Sequence, residues 1–95
     1  MQIDYNTIAK AAKVLRAVNH RLRQQLIKLI GEEKKITVTD IYVRILLEQS
    51  VVSQHLAILR KAGVVKTDRE GKFILYSLDE ARLKFIEEKS IELTK

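Results

Sequence analysis

From Asp4 to Val18 apolar side chains return every third or fourth position. Ile8, Ala11, Ala12, Leu15 and Val18 form one stripe, with Lys10, Lys13 and Arg16 off it, which is the pattern of an amphipathic helix. Asn19 interrupts, and a second helix is expected to about Ile30. Its buried face is Leu22, Leu26, Leu29 and Ile30, and Gly31 is expected to stop it. Glu32 to Lys35 read as a charged loop. Ile36 to Val38 is a short β-branched run suited to a sheet edge. A third helix is expected after Thr39 as its cap, with Asp40 in the first turn and Ile41, Ile45 and Leu46 facing inward. Leu47 to Gln49 then turn into a fourth helix. After Gly63 the period changes to that of strands: Val64 to Arg69 and Lys72 to Ser77 flank a turn at Glu70-Gly71. Asp79 is placed to cap a last helix carrying Leu83, Phe85 and Ile86, then Ile91 and Leu93.

The resulting order is helix, helix, short strand, helix, helix, hairpin, helix. A helix-turn-helix followed by a β-hairpin is a winged helix. The expected fold is therefore mainly α with a small β-hairpin, in one domain spanning residues 1–95. No proline, repeat, low-complexity tract or linker divides it.

The stretch from Ser50 to Gly63 carries the most chemical information. Val52, Leu56 and Leu59 give it an apolar face, Ser50 is a candidate cap, and Gly63 suits a left-handed helix end. The opposite face offers Ser53, Gln54 and His55 near the start and Arg60 and Lys61 near the end. Short hydrogen-bonding groups followed by cations suit a helix that reads base edges and holds phosphates.

Composition sharpens this reading by exclusion. The chain of 95 residues is 46% hydrophobic but only 5% aromatic, so aliphatic side chains must fill a small core. Such cores are often completed by a subunit interface. Cysteine is absent, which removes disulfides, thiolate metal ligands and thiol redox sensing. No apolar run is long enough to span a membrane, and the start is too polar for a secretion signal, so a cytoplasmic location is expected. The net charge is +6, which favours a polyanionic partner. Six cations and one acid lie in residues 1–31, and five cations and two acids in residues 50–76. No paired histidine and carboxylate at a recognisable spacing and no glycine-rich phosphate loop point to an enzyme or to a cofactor.

Ala17-Val18-Asn19-His20 with Leu22-Arg23, Val52-Ser53-Gln54-His55-Leu56 with Leu59-Arg60-Lys61-Ala62-Gly63-Val64-Val65, and Arg69-Glu70-Gly71-Lys72 with Tyr76-Ser77-Leu78 occur in that order. Together they resemble the ArsR/SmtB family of bacterial winged-helix repressors, and the likeness covers nearly the whole chain. The resemblance implies a homodimeric, sequence-specific regulator of transcription that binds double-stranded DNA and leaves it when a signal arrives. It implies dimerisation through the first and last helices, where Ile8, Ala12, Leu15, Leu83 and Ile86 are candidate contacts. Ser50, Val51, Ser53, Gln54 and His55 would then face bases or the nearest phosphates, with Val51 suited to a thymine methyl group. Arg60, Lys61, Lys66, Arg69 and Lys72 would hold the backbone. Two-fold symmetry would call for an imperfect inverted repeat. The alternative is a winged-helix module whose basic face binds an acidic protein partner.

The departures from the family are specific. Arg21 stands where a proline is common, and Tyr42 and Leu46 stand where helix-turn-helix units often have a small residue and a glycine. Leu46 in a left-handed turn would cost about 1 kcal/mol or more, so a longer third helix and a different turn are expected. The places of the family's metal-binding Cys-x-Cys pair look like Tyr42 and Arg44. The last helix has Asp79, Glu80, Glu87, Glu88 and Glu92 but no histidine, and carboxylates alone select zinc poorly. No metal site is expected.

Overall fold

The computed structural model describes residues 4–94, with the side chains of Ile86 and of residues 89–94 outside the described set. The elements are α1 (Tyr5–Val18), α2 (Arg21–Glu33), β1 (Ile36–Thr37), α3 (Val38–Ile45), α4 (Gln49–Lys61), β2 (Val65–Glu70), β3 (Phe73–Leu78) and α5 (Glu80–Thr94). Their order is the one expected from the sequence. The three strands form an antiparallel sheet in the order β1-β3-β2. No described helix is long and apolar enough to cross a membrane.

Several caps explain where the helices begin. Asp4 accepts from the Asn6 N–H at 3.0 Å, and Asp79 Oδ1 accepts from the Arg82 N–H at 3.0 Å. His20 caps α2 through Nδ1, which accepts from the Leu22 N–H at 3.1 Å. The cap of α3 is Thr37 rather than Thr39: its Oγ1 accepts from the Asp40 N–H at 3.2 Å. Thr37 holds extended backbone because it is paired in β1, so the helix begins directly at the strand end. Ser50 likewise does not cap α4. Glu48 precedes that helix, without a side-chain hydrogen bond to it, and Ser50 already lies inside the first turn.

Gly31 does not end α2, which continues to Glu33 and closes at Lys34 with φ +69°. A Cβ at position 31 would stand 3.0 Å from Leu78 Cδ1. The glycine therefore lets β3 approach the helix, a packing role that local pattern does not display. Gly63 does end α4 as expected, with φ +77°. Its N–H donates to Arg60 C=O, and the Val64 N–H donates to Leu59 C=O. This is a Schellman closure, completed by burial of both Leu59 and Val64.

The core is aliphatic and contains no buried polar side chain among the described residues. It gathers Val14 and Ala17 of α1, Leu26 and Ile30 of α2, Ile36, Ile41, then Val52, Leu56 and Leu59 of α4, with Val64 and Val65. The centre of the α1 face is thus Ala11, Val14 and Ala17, while Ile8, Ala12, Leu15 and Val18 are half-buried beside it. Leu46 departs furthest from expectation. It is 84% exposed rather than inward-facing, and it does take the left-handed conformation, with φ 58° and ψ 35°. Helix α3 ends at Ile45, and Ile41 and Val52 are both buried on either side of the turn. Burying those anchors outweighs the local cost of one strained leucine.

Candidate nucleic-acid interface

Val52, Leu56 and Leu59 are at most 1% exposed, so they fix the rotation of α4 about its axis. At 100° per residue the opposite face carries Ser50, Gln54, Ala57 and Lys61, flanked by Val51 on one side and by Ser53 and Arg60 on the other. All of these are exposed. No acid lies between Gln49 and Lys61. The first N–H groups of α4 receive no side-chain cap and sit at the positive end of the helix dipole, which suits a phosphate oxygen.

Two residues here escaped the sequence pattern. Gln49, read as part of the turn, is the first residue of α4 and is exposed beside Ser50. Ala57 lies between Gln54 and Lys61 on the exposed face, where its small side chain permits close approach. A sharper placement of the helix start, three residues after Leu46, would have found Gln49.

His55 is not on this face. It is half-buried, its ring centroid lies 4.5 Å from that of His20, and its Nδ1 is buried without a hydrogen-bond partner. Burial, reinforced by His20 and Arg23, pushes its pKa below the ordinary histidine value. Its position seats α4 against the start of α2, because it stands on the flank of the apolar stripe; the expected base or phosphate contact from His55 is thereby corrected. Ser53 is exposed but engaged: Tyr42 Oη donates to its Oγ at 3.5 Å, a long contact between α3 and α4.

The wing extends from the end of α4. Register pairs Val65 with Leu78, Thr67 with Tyr76 and Arg69 with Ile74, and Glu70 with Phe73. The loop is therefore Gly71-Lys72, one residue beyond the expected turn, and Gly71 has φ +61°. A positive φ at the first loop position suits a two-residue hairpin whose twist matches its strands. Strand alternation places Thr67, Arg69, Ile74 and Tyr76 on the face continuous with the core, where Ile36 pairs with Tyr76. Arg60 lies close enough to Tyr76 to oppose the upward shift that burial gives its phenol. Arg60 and Arg69 therefore belong to one side of the molecule. Lys66 lies on the reverse face of the hairpin with Asp68 and Glu70, so the expected set of backbone-holding cations is split. Glu70 also pairs with Lys35 at 3.8 Å, and Lys72 Nζ stands 5.6 Å from the Phe73 ring centre.

Among the described residues no group of three or more histidine, cysteine, aspartate or glutamate side chains could hold a metal ion. The exposed face of α4 offers hydrogen-bonding groups at Gln49, Ser50, Ser53 and Gln54 and cations at Arg60 and Lys61.

Residues 21–67 match the family model described as bacterial regulatory protein, arsR family. An HTH-type transcriptional regulator of Methanocaldococcus jannaschii is 35% identical over 77 residues, covering 81% of this chain and 86% of the relative. The transcriptional repressor PagR of Bacillus anthracis is 32% identical over 85 residues, covering 90% and 85%. Its crystal structure superposes with a TM-score of 0.75 at 30% identity, covering 86% of this chain and 95% of that one. HlyU of Vibrio cholerae, named a transcriptional activator, is 34% identical over 76 residues, covering 80% and 69%. One HlyU structure gives a TM-score of 0.73 at 32% identity, covering 87% and 90%.

Proposed function

The chain belongs to the arsR family of bacterial regulatory proteins and is a DNA-binding regulator of transcription, and we propose that it acts as a homodimeric repressor reading an imperfect inverted repeat. The observation that carries this reading is the exposed face of α4, acid-free and held in place by three buried residues. Gln49, Ser50, Val51 and Gln54 reach base edges in the major groove, where glutamine can pair with adenine and valine can meet a thymine methyl group. Arg60, Lys61, Arg69 and Lys72 neutralise phosphates on either side, and Lys66 contributes from the reverse face of the wing only through longer-range attraction.

The dimer runs through α1 and α5. Ile8, Ala12 and Leu15 are half-buried on α1, and Leu83 is half-buried on α5, while Ile86 lies outside the described side chains. The radius of gyration is 14.4 Å. A compact chain of this length would be nearer about 12 Å. An elongated shape with a small core is consistent with an apolar face completed by a second copy. Repression follows from occupancy, since a rigid helix in the major groove blocks access without further parts. Among the relatives PagR is named a repressor and HlyU an activator, so the direction of control is part of the proposal.

The test is selection of bound sequences from a random duplex library, with sedimentation of the free protein. The expected result is a dimer that enriches an inverted repeat, with half-sites about one helical turn apart or a multiple of it. A monomer that enriches no sequence and whose duplex binding is insensitive to salt would instead favour an acidic protein as the partner of the basic face.

A further inference from the structure

A second positively charged surface borders the reading face and shares Lys61 with it. The second half of α1, the start of α2 and the end of α4 enclose an open recess of about 340 Å³. Its walls carry Lys13, Arg16, Arg23 and Lys61, and no acid among the described residues lines it. Its floor is apolar, made by Ala17 and Ala62, both buried, with Ile58 at one side and 39% exposed. Arg23, half-buried, reaches it from the start of α2. Four cations gathered around an apolar floor make a positive surface that favours an anion.

We propose that this recess binds a small organic anion: a phosphate ester or carboxylate carried on an apolar ring or short chain. The Arg23 guanidinium offers the planar fork that matches either anionic group. The apolar body covers the exposed part of Ile58, which a bare inorganic ion would leave wet. A duplex backbone meets protruding cations along a convex ribbon and makes no use of an apolar floor set beneath them. The volume falls at the lower end of the range of small-molecule sites, roughly 300–1,000 Å³.

The occupant would touch α1, α2 and α4 together and engage Lys61, which belongs to the proposed DNA-contacting set. Anion and DNA would then oppose each other, each weakening the other by the same factor. This coupling rests on the DNA-reading role of α4, whereas anion binding does not.

The experiment is calorimetric titration of the full chain with naphthyl phosphate, inorganic phosphate and neutral naphthalenemethanol, with amide shifts recorded at Ala17 and Ala62. Naphthyl phosphate should bind saturably, and each of the other two should bind at least about tenfold more weakly. Arg16→Ala and Lys13→Ala, both at exposed positions, should each weaken the probe severalfold while leaving the thermal midpoint unchanged. The probe should lower duplex affinity in the wild type and lose that effect in Arg16→Ala. No saturable binding, equal binding of inorganic phosphate, or indifference to both variants would overturn the site. Variants that weaken duplex binding while the wild type binds no probe would make the recess a backbone contact and also overturn it. Probe binding by a protein that binds no duplex would leave the site standing and refute the DNA reading instead.

Discussion

Helix α4 and the β2–β3 wing face the same proposed partner but are held differently. α4 is clamped by Val52, Leu56 and Leu59 and closed by the Gly63 motif, so its exposed side chains project from a fixed frame. Only Val65 of β2 is buried, and the outer part of the wing depends on pairing with β3 alone. Phe73 and Ile74 are 51% and 42% exposed. Precise hydrogen-bond readout needs the rigid frame, because a bidentate contact tolerates little displacement. Charge neutralisation does not, since it falls off slowly with distance. The difference predicts that α4 supplies discrimination and the wing supplies salt-dependent affinity.

The largest expected effect tests the frame. Leu56→Ala should cost about 2–5 kcal/mol of stability through a cavity beneath α4. Ile74→Ala, already partly exposed, should cost under about 1 kcal/mol by the area it buries. Urea denaturation of the two variants measures both, and equal losses would remove the distinction. Gln54→Ala should cost about 1–3 kcal/mol on the selected operator and relax preference at one position per half-site. Titration against operator and random duplex checks this, and an equal loss on both would show that Gln54 does not read bases.

Leu46→Gly should raise stability by about 1 kcal/mol, since it relieves a left-handed leucine that is almost wholly exposed. A fall in the denaturation midpoint would mean that the turn gains more from the leucine than its exposure indicates. Lys72→Ala should weaken operator and random duplex together, lowering the salt slope by about one unit for each phosphate no longer neutralised, hence about two per dimer. Lys66→Ala, on the reverse face, should lower it less than Arg69→Ala does. A salt series on all three variants decides this, and identical slopes would flatten the assigned geometry of the wing.

The smallest effect concerns pH and the seat of α4. His55 has its folded pKa lowered chiefly by burial, so the fold favours the neutral ring. Its contribution to stability is then fully present above the unfolded value of about 6.5 and is lost as pH falls below it toward the lowered folded value. Thermal melts across that range should show a loss on acidification that His55→Gln reduces. A variant with the wild-type pH profile would exclude His55 as its source.

Much of this molecule was written in local pattern. The element order, the cap at Asp79, the stop at Gly63 and the buried triad of α4 all follow from spacing and residue type over short windows. The placement of Ser50, Val51, Ser53 and Gln54 on the outer face follows from that triad. The misplaced features share a physical cause: each depends on what arrives from elsewhere in the chain. Gly31 reads as a helix stop until Leu78 of β3 is seen against it. Thr37 becomes the cap of α3 because β1 pairs with β3. Leu46 accepts a left-handed backbone because burial of α3 and α4 on either side fixes the turn. His55 turns inward because α2 begins beside it, and Lys66 separates from Arg69 by the parity of a strand register. The basic recess is the extreme case. Its four cations come from three helices, and only tertiary packing brings them around one apolar floor.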